Sequence, residues 1–232
     1  MRTSAEARRS GPPAPDPGWV ELVGGHPALD LVNTVAWRHD PPRTADRLTD
    51  AAALLSWSVA AGLLSAEQAE EFRAEASVDV TLASQVLEES RAVRTTAYRL
   101  LRPVAHRLPP RSADVRDAHD AVVAALERAD IVDVVPLRWE VHLGSVRSLP
   151  TALTVVLWRL LQFEDLHRLR ECQDGGCGWL FLDRSKNGSR VWCSSADCGN
   201  RSRARRHYRR RHGIADRPGA TRSQNDGAEV GG

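Results

Sequence analysis

The chain has 232 residues, of which 42% are hydrophobic and 27% are charged. This composition supports a folded core and excludes a wholly disordered or collagen-like chain. No apolar run reaches the ~20 residues that a membrane-spanning helix needs, and the first residues lack the apolar region of a signal peptide. We therefore expect a cytoplasmic protein without a membrane partner.

The net charge of +2 conceals an asymmetry between two parts of the chain. Residues 170–212 contain eleven basic and four acidic residues, whereas the rest of the chain has more acidic than basic residues. Such an asymmetry indicates a polyanion, above all nucleic acid, as the partner of the basic part. All four cysteines of the chain lie in the same segment, which predicts a single site there.

Local patterns predict mostly helices between two polar ends. Residues 1–17 and 213–232 are rich in small, proline and charged residues, and we expect a disordered leader and a disordered tail. Residues 19–23 alternate like a short strand. Apolar spacing then predicts helices over residues 26–37, 48–61, 65–76, 79–108, 112–129 and 149–169. Two strands are expected at 131–135 and 137–141, on either side of Pro136.

Two helix starts carry capping signals in this pattern. Ser65 and Gln68 fit a capping box, in which each side chain accepts a hydrogen bond from the backbone of the other residue. Ser112 fits an N-cap for the helix that follows it. These patterns predict an α-rich regulatory or sensor body with a small β-sheet over residues 18–169.

The four cysteines are arranged as Cys172-x4-Cys177-x15-Cys193-x4-Cys198. Two cysteine pairs at this spacing are typical of a zinc site, in which four thiolates close tetrahedrally and leave no position for a substrate. We expect one structural Zn²⁺ here. Disulfides and an iron–sulfur cluster are the alternatives, although disulfides rarely persist in a reducing compartment.

The segment between the two cysteine pairs reads as strand, turn and strand. Residues 178–182 and 189–192 supply the strands, so that a hairpin would bring the pairs together. The predicted fold class is therefore α-rich α+β, with a helical body followed by a zinc-bound β-hairpin and a helix over residues 170–212.

Two motifs resemble known families. The run from Cys172 through Gly178-Trp-Leu-Phe-Leu-Asp183 to Cys198-Gly-Asn-Arg201 closely resembles the CGNR zinc finger. The run Gly25-His-Pro-Ala-Leu-Asp-Leu-Val-Asn-Thr34 resembles the domain that precedes this finger in a family of stress-induced transcription regulators. The resemblance covers about residues 19–212 and implies a bacterial regulator that binds DNA and responds to stress. Arg203 departs from the family's usual lysine, and the two residues are not interchangeable at a bidentate contact.

The segment after Cys198 is an arginine-rich helix candidate. We expect it from about residue 196 to 211, with Ser195 as its N-cap. Guanidinium groups bind phosphates and the guanine edge, and a helix fits the major groove of duplex DNA. The candidate DNA-contacting residues are Lys186, Arg190, Arg201, Arg203, Arg205, Arg206, Arg209 and Arg210.

Other interpretations of the basic segment stay open at this point. The arginines would also suit a solvated tail, self-docking onto the acidic body, binding to RNA, or binding to an acidic protein partner. A homodimer would fit paired DNA half-sites, but no residue specifies one.

Asp30, Asn33 and Thr34 are polar residues within an apolar helical pattern of the body, and Gly24, Gly25 and His26 precede them. Buried polar groups need partners. These residues therefore either cap a neighbouring helix or tie down the loop after the first strand, or His26, Asp30 and Asn33 line a pocket for a small-molecule effector. The chain has no nucleophile motif, phosphate-binding loop or HExxH sequence, and we expect no enzymatic activity.

Overall fold

Seven α-helices and three two-stranded antiparallel sheets lie in residues 21–212, the part of the chain that the computed structural model describes. The helices are α1 (Pro27–Val32), α2 (Ala51–Ala60), α3 (Ala66–Val78), α4 (Val80–Ala105), α5 (Ser112–Leu126), α6 (Leu149–Phe163) and α7 (Asn200–Arg211). The strands are β1 (Val35–Ala36), β2 (Ala45–Asp46), β3 (Asp130–Val134), β4 (Leu137–Glu140), β5 (Leu169–Glu171) and β6 (Leu180–Leu182). The expected α-rich α+β fold is confirmed. The predicted leader and tail lie outside the described residues.

Polar side chains cap the first turns of several helices and fix where those helices begin. The capping box at α3 is confirmed, with Gln68 N donating to Ser65 Oγ at 3.1 Å and Ser65 N donating to Gln68 Oε1 at 3.0 Å. Asp79 caps α4 through a bond from Leu82 N of 2.9 Å. The expected cap at Ser112 is wrong, because Arg111 occupies the N-cap position and makes no side-chain capping bond.

Several predicted boundaries also change. Residues 21–23 form no strand. The helix expected over residues 26–37 ends at Val32, because the chain then turns into β1, which pairs with β2. The helix expected over residues 149–169 ends at Phe163, and its predicted last residues form a 3₁₀ turn and the start of β5.

The two strands expected around Pro136 are present as β3 and β4, which pair antiparallel. A register shift lies between Ile131 and Asp133. This hairpin leaves several apolar side chains exposed, including Val134 and Leu137. It is therefore peripheral to the buried core.

The body is held by two apolar clusters along α4. The first lies between α2, α3, the N-terminal half of α4 and the start of α6. The second lies between α1, the C-terminal half of α4 and the rest of α6, and it includes Leu169, Leu180 and Leu182. The small strands β5 and β6 thus share a core with the helical body.

None of the helices between residues 21 and 212 is both long enough and apolar enough to cross a lipid bilayer.

Candidate metal centre and basic helix

The four cysteines come together in a buried cluster. Their ligand sulfurs all lie within 4.8 Å of one another, and none of the four forms a disulfide. Cys193 Sγ lies 3.7 Å from Cys177 Sγ and 3.3 Å from Cys198 Sγ. Zinc–sulfur bonds of about 2.3 Å in a tetrahedron place the sulfurs about 3.8 Å apart. The donor set and the spacing therefore fit a zinc ion.

The hairpin at the cluster differs from the expected one. β6 pairs with β5, which precedes the first cysteine, with Arg170 opposite Phe181. Residues 189–192 form no strand, although Gln173 N donates to Val191 O at 3.0 Å. The first cysteine pair therefore lies in the loop of the β5–β6 hairpin. In the second pair, Cys193 precedes a π-helical turn at Ser195–Gly199 and Cys198 lies within it. The cap of this turn is Ser194 rather than the expected Ser195.

Strand β6 faces two environments. Leu180 and Leu182 pack in the second core cluster of the body, whereas Trp179 and Phe181 pack with the cysteines. This division follows from the period of two along a β-strand. The apolar run in the sequence therefore serves both the body and the metal centre.

A loop of the body runs along the first cysteine pair. Arg38 N donates to Cys177 O at 3.1 Å, and His39 N donates to Gly176 O at 3.3 Å. Trp179 Nε1 donates to Val35 O at 2.9 Å. Gly178 has a positive φ of 73°, and a Cβ placed there would lie 2.8 Å from Arg38 Cβ. The metal centre is therefore built against the body.

The three residues considered for an effector pocket have structural partners. His26 Nδ1 caps α1 by accepting from Ala28 N at 3.2 Å. Asp30 Oδ1 accepts from Gly24 N at 2.7 Å, and burial raises its pKa to about 6 against the hydrogen bonds that lower it. Asn33 forms two hydrogen bonds with the backbone of Leu180. Each of the three side chains is therefore bonded to a backbone group of the protein, in α1, in the loop before α1 and in β6.

A cationic side chain lies against one of the cysteine sulfurs. Arg201 Nη2 donates to Cys198 Sγ at 2.8 Å. Although burial lowers the pKa of Arg201, the Cys198 thiolate and the carboxylates of Asp174 and Asp197 raise it above its ordinary value. Four thiolates around Zn²⁺ carry excess negative charge, so cations nearby stabilise such a centre.

The arginines of α7 divide between two faces of the helix. Arg201 and Arg205 turn toward Asp174, a carboxylate in the loop between the first two cysteines. At 100° per residue, Arg206 and Arg210 point away from that carboxylate, and both are exposed. The arginines on the two faces of α7 therefore have different surroundings.

The other candidate DNA-contacting residues differ in their exposure and in their contacts within the protein. Arg203 is exposed, and its Nη2 donates to Ser195 O at 3.0 Å. Arg209 has an interaction partner within the protein. Lys186 is exposed in the turn after β6. Arg190 points inward, where its guanidinium lies 4.2 Å from the centre of the Phe181 ring and donates to Val23 O at 2.8 Å.

Two buried aspartates were missed by the sequence analysis. Asp183 has a fully buried side chain that accepts from Ser185 N at 2.9 Å and from Arg190 N at 3.0 Å, which closes the turn after β6. Asp174 holds two arginines of α7. The signal for both was their position between the first and the last cysteine, because a carboxylate within this segment is well placed to organise its turns.

The comparisons with known proteins agree with this arrangement. Residues 25–163 match the ABATE family, described as a putative stress-induced transcription regulator. Residues 168–211 match the CGNR zinc finger. No curated protein matches the chain. The first match spans more than half of the chain and the second covers the cysteine cluster and the basic helix, so the chain belongs to the ABATE family and carries a CGNR zinc finger.

Proposed function

We propose that this protein is a cytoplasmic bacterial transcription regulator that binds duplex DNA through the exposed face of α7. The observation that carries the proposal is the geometry of this helix. It begins two residues after the last cysteine, contains seven arginines among its twelve residues, and is exposed along residues 203–211. A cationic helix held at one end suits insertion into the major groove.

Arg206 and Arg210 are the proposed main contacts. Both point away from Asp174, and no α7 residue is buried. Arg203 lies on the same side, and Lys186 on the turn after β6 adds a further positive charge. Guanidinium groups on one helix face bind phosphates or the O6 and N7 atoms of guanine bidentately.

We further propose that the cysteine cluster holds one zinc ion with a structural role. A zinc ion on these four thiolates cross-links the two cysteine pairs and contributes folding free energy. The four thiols must stay reduced to bind it, which fits a reducing compartment. The role of the centre is then to fix the start of α7.

In this proposal the protein acts by binding rather than by catalysis. Four thiolate ligands leave no coordination position for a substrate. RNA or an acidic protein partner is the alternative for the same arginines. An effector of the body and a homodimer stay predictions from the sequence.

The test is a titration of a short fluorescent DNA duplex with the zinc-loaded full chain at several salt concentrations. We expect the logarithm of the affinity to fall linearly with the logarithm of the salt concentration, with a slope of about −0.9 for each phosphate that the protein contacts. Arg206→Glu with Arg210→Glu should lower the affinity by at least about tenfold. The control is Arg116→Glu with Arg128→Glu, which changes the charge equally at exposed positions of the helical body.

Equal affinity of the Arg206/Arg210 variant and the control variant would show that this face of α7 does not bind DNA. Binding to a single-stranded or hairpin RNA without binding to duplex DNA would favour the alternative.

A further inference from the structure

Asp174 is a fully buried carboxylate close to the exposed basic helix. Its side chain is 0% exposed. Its Oδ2 lies 3.1 Å from Arg201 Nε, and its Oδ1 lies 3.0 Å from Arg205 Nη2. Within residues 21–212 the carboxylate accepts only one further hydrogen bond, a long one of 3.4 Å from Gly176 N. The two guanidinium groups are therefore its main compensation for burial.

The spacing of the two arginines makes this contact directional. Arg201 and Arg205 are four residues apart, so they lie one turn apart on one face of α7. A single ion pair leaves a helix free to swing, whereas two ion pairs one turn apart to one fixed carboxylate restrain its axis. The contact therefore restrains the direction in which α7 leaves the cysteine cluster.

Arg201 connects this contact to the rest of the protein. Its guanidinium lies 4.4 Å from the centre of the Trp37 ring in the body, and it also donates to Cys198 Sγ. It forms an ion pair with Asp197 too, but that carboxylate is 51% exposed, and exposed pairs contribute little. We therefore expect the ion pair with the buried partner, Asp174, to be the one that restrains Arg201 and α7.

We propose that Asp174 is a positioning residue of the DNA-binding helix: by holding Arg201 and Arg205, it determines which arginines face DNA. This inference rests on the proposed function. It assigns different roles to the two faces of α7, because Arg201 and Arg205 orient the helix and are withheld from phosphates, while Arg206 and Arg210 contact DNA.

The test compares Asp174→Asn with the wild-type full chain, both loaded with zinc. The variant keeps the side-chain shape and removes the charge. Amide hydrogen exchange over residues 200–211 should accelerate by about tenfold or more, while zinc content stays the same because Asp174 is not a ligand. Asp197→Asn is the matched control, since it removes the exposed partner of the same arginine and should leave exchange unchanged.

The DNA readout uses the duplex that the wild-type protein selects from a randomised library, together with a shuffled duplex of the same composition. In Asp174→Asn the preference for the selected duplex should fall by about tenfold or more. The salt slope should steepen by about one to two phosphate contacts, because Arg201 and Arg205 become available to the backbone. A merely structural role would not steepen the slope.

Unchanged exchange and unchanged preference in Asp174→Asn would overturn the proposal. If this variant loses zinc, Arg205→Gln decides instead, because Arg205 is half-exposed and remote from the ligands in sequence; it should show smaller changes in the same direction, and no change would again overturn the proposal. A wild-type protein that selects no duplex would refute the proposed function, whereas the exchange of α7 would still show whether Asp174 holds the helix.

Discussion

Asn33 in the body pairs with Leu180 beside the metal centre as two strand residues pair with each other. Asn33 Nδ2 donates to Leu180 O at 2.8 Å, and Leu180 N donates to Asn33 Oδ1 at 2.9 Å. Both residues are buried. One amide side chain thereby satisfies both backbone groups of a strand residue 147 positions away and connects the two parts of the protein.

Asn33→Ala should strongly destabilise the protein. It leaves the N–H and C=O of Leu180 buried without partners, and each such group costs about 1–3 kcal/mol. We expect the free energy of unfolding in urea to fall by about 2–4 kcal/mol. Asn187→Ala, in the exposed turn after β6, is the control and should change little. A loss in Asn33→Ala as small as in the control would show that the pair contributes nothing.

Removing the metal should loosen the body as well as the finger. Leu180 and Leu182 share a core cluster with α1, α4 and α6, so disorder around the cysteines exposes part of the body core. Cys193→Ser should abolish the one zinc per chain expected for the wild type, and thermal unfolding followed by near-ultraviolet circular dichroism should shift as a whole to lower temperature. An unchanged zinc content would refute the ligand assignment, and an unchanged midpoint would refute the coupling.

A pair of glycine substitutions separates backbone strain from steric clash. Gly178 and Gly62 have nearly equal positive φ values, 73° and 72°. A Cβ at Gly62 meets nothing within 4 Å, whereas a Cβ at Gly178 meets Arg38 Cβ at 2.8 Å. Gly62→Ala should therefore cost only the strain, about 1 kcal/mol. Gly178→Ala should cost about 3 kcal/mol, because crowding of the body loop adds to it. Equal losses in the free energy of unfolding, measured by urea denaturation, would mean that the close approach of Gly178 to the body loop is not needed for stability.

Asp30 should make the stability depend on pH. Burial raises its pKa to about 6 in the folded state, against about 3.9 in an unfolded chain. The folded state then binds the proton more tightly, so the free energy of unfolding falls as the pH rises from about 4 to about 6.

Asp30→Asn removes this contribution, which is on the order of 3 kcal/mol. The difference in free energy of unfolding between variant and wild type should therefore change in favour of the variant as the pH rises through this range. Urea denaturation of both proteins at several pH values measures it. A difference that stays constant with pH would contradict the assignment, and any effect of pH on the cysteine ligands cancels between the two proteins.

Local interactions were predictable from the sequence, whereas distant pairings were not. The capping box of Ser65 and Gln68 and the cysteine cluster follow from spacing along the chain. The partner of β6 does not, because either flanking segment could pair with it, and the choice of β5 depends on packing Leu169 into the body core. The sequence also did not predict which arginines of α7 face the protein and which face away, since this depends on the burial of Asp174. Sequence reasoning thus found the metal centre and the basic helix but not the contacts that orient them.

The outward face of α7 is the proposed contact with DNA. The most direct measurement places a photo-crosslinking residue at position 206 of the zinc-loaded full chain, and at position 116 on α5 as a control, with labelled duplex DNA. Contact of this face with DNA predicts a crosslink from position 206 that unlabelled duplex competes away, and none from position 116. A stable complex that crosslinks from neither position, or only from position 116, would contradict it.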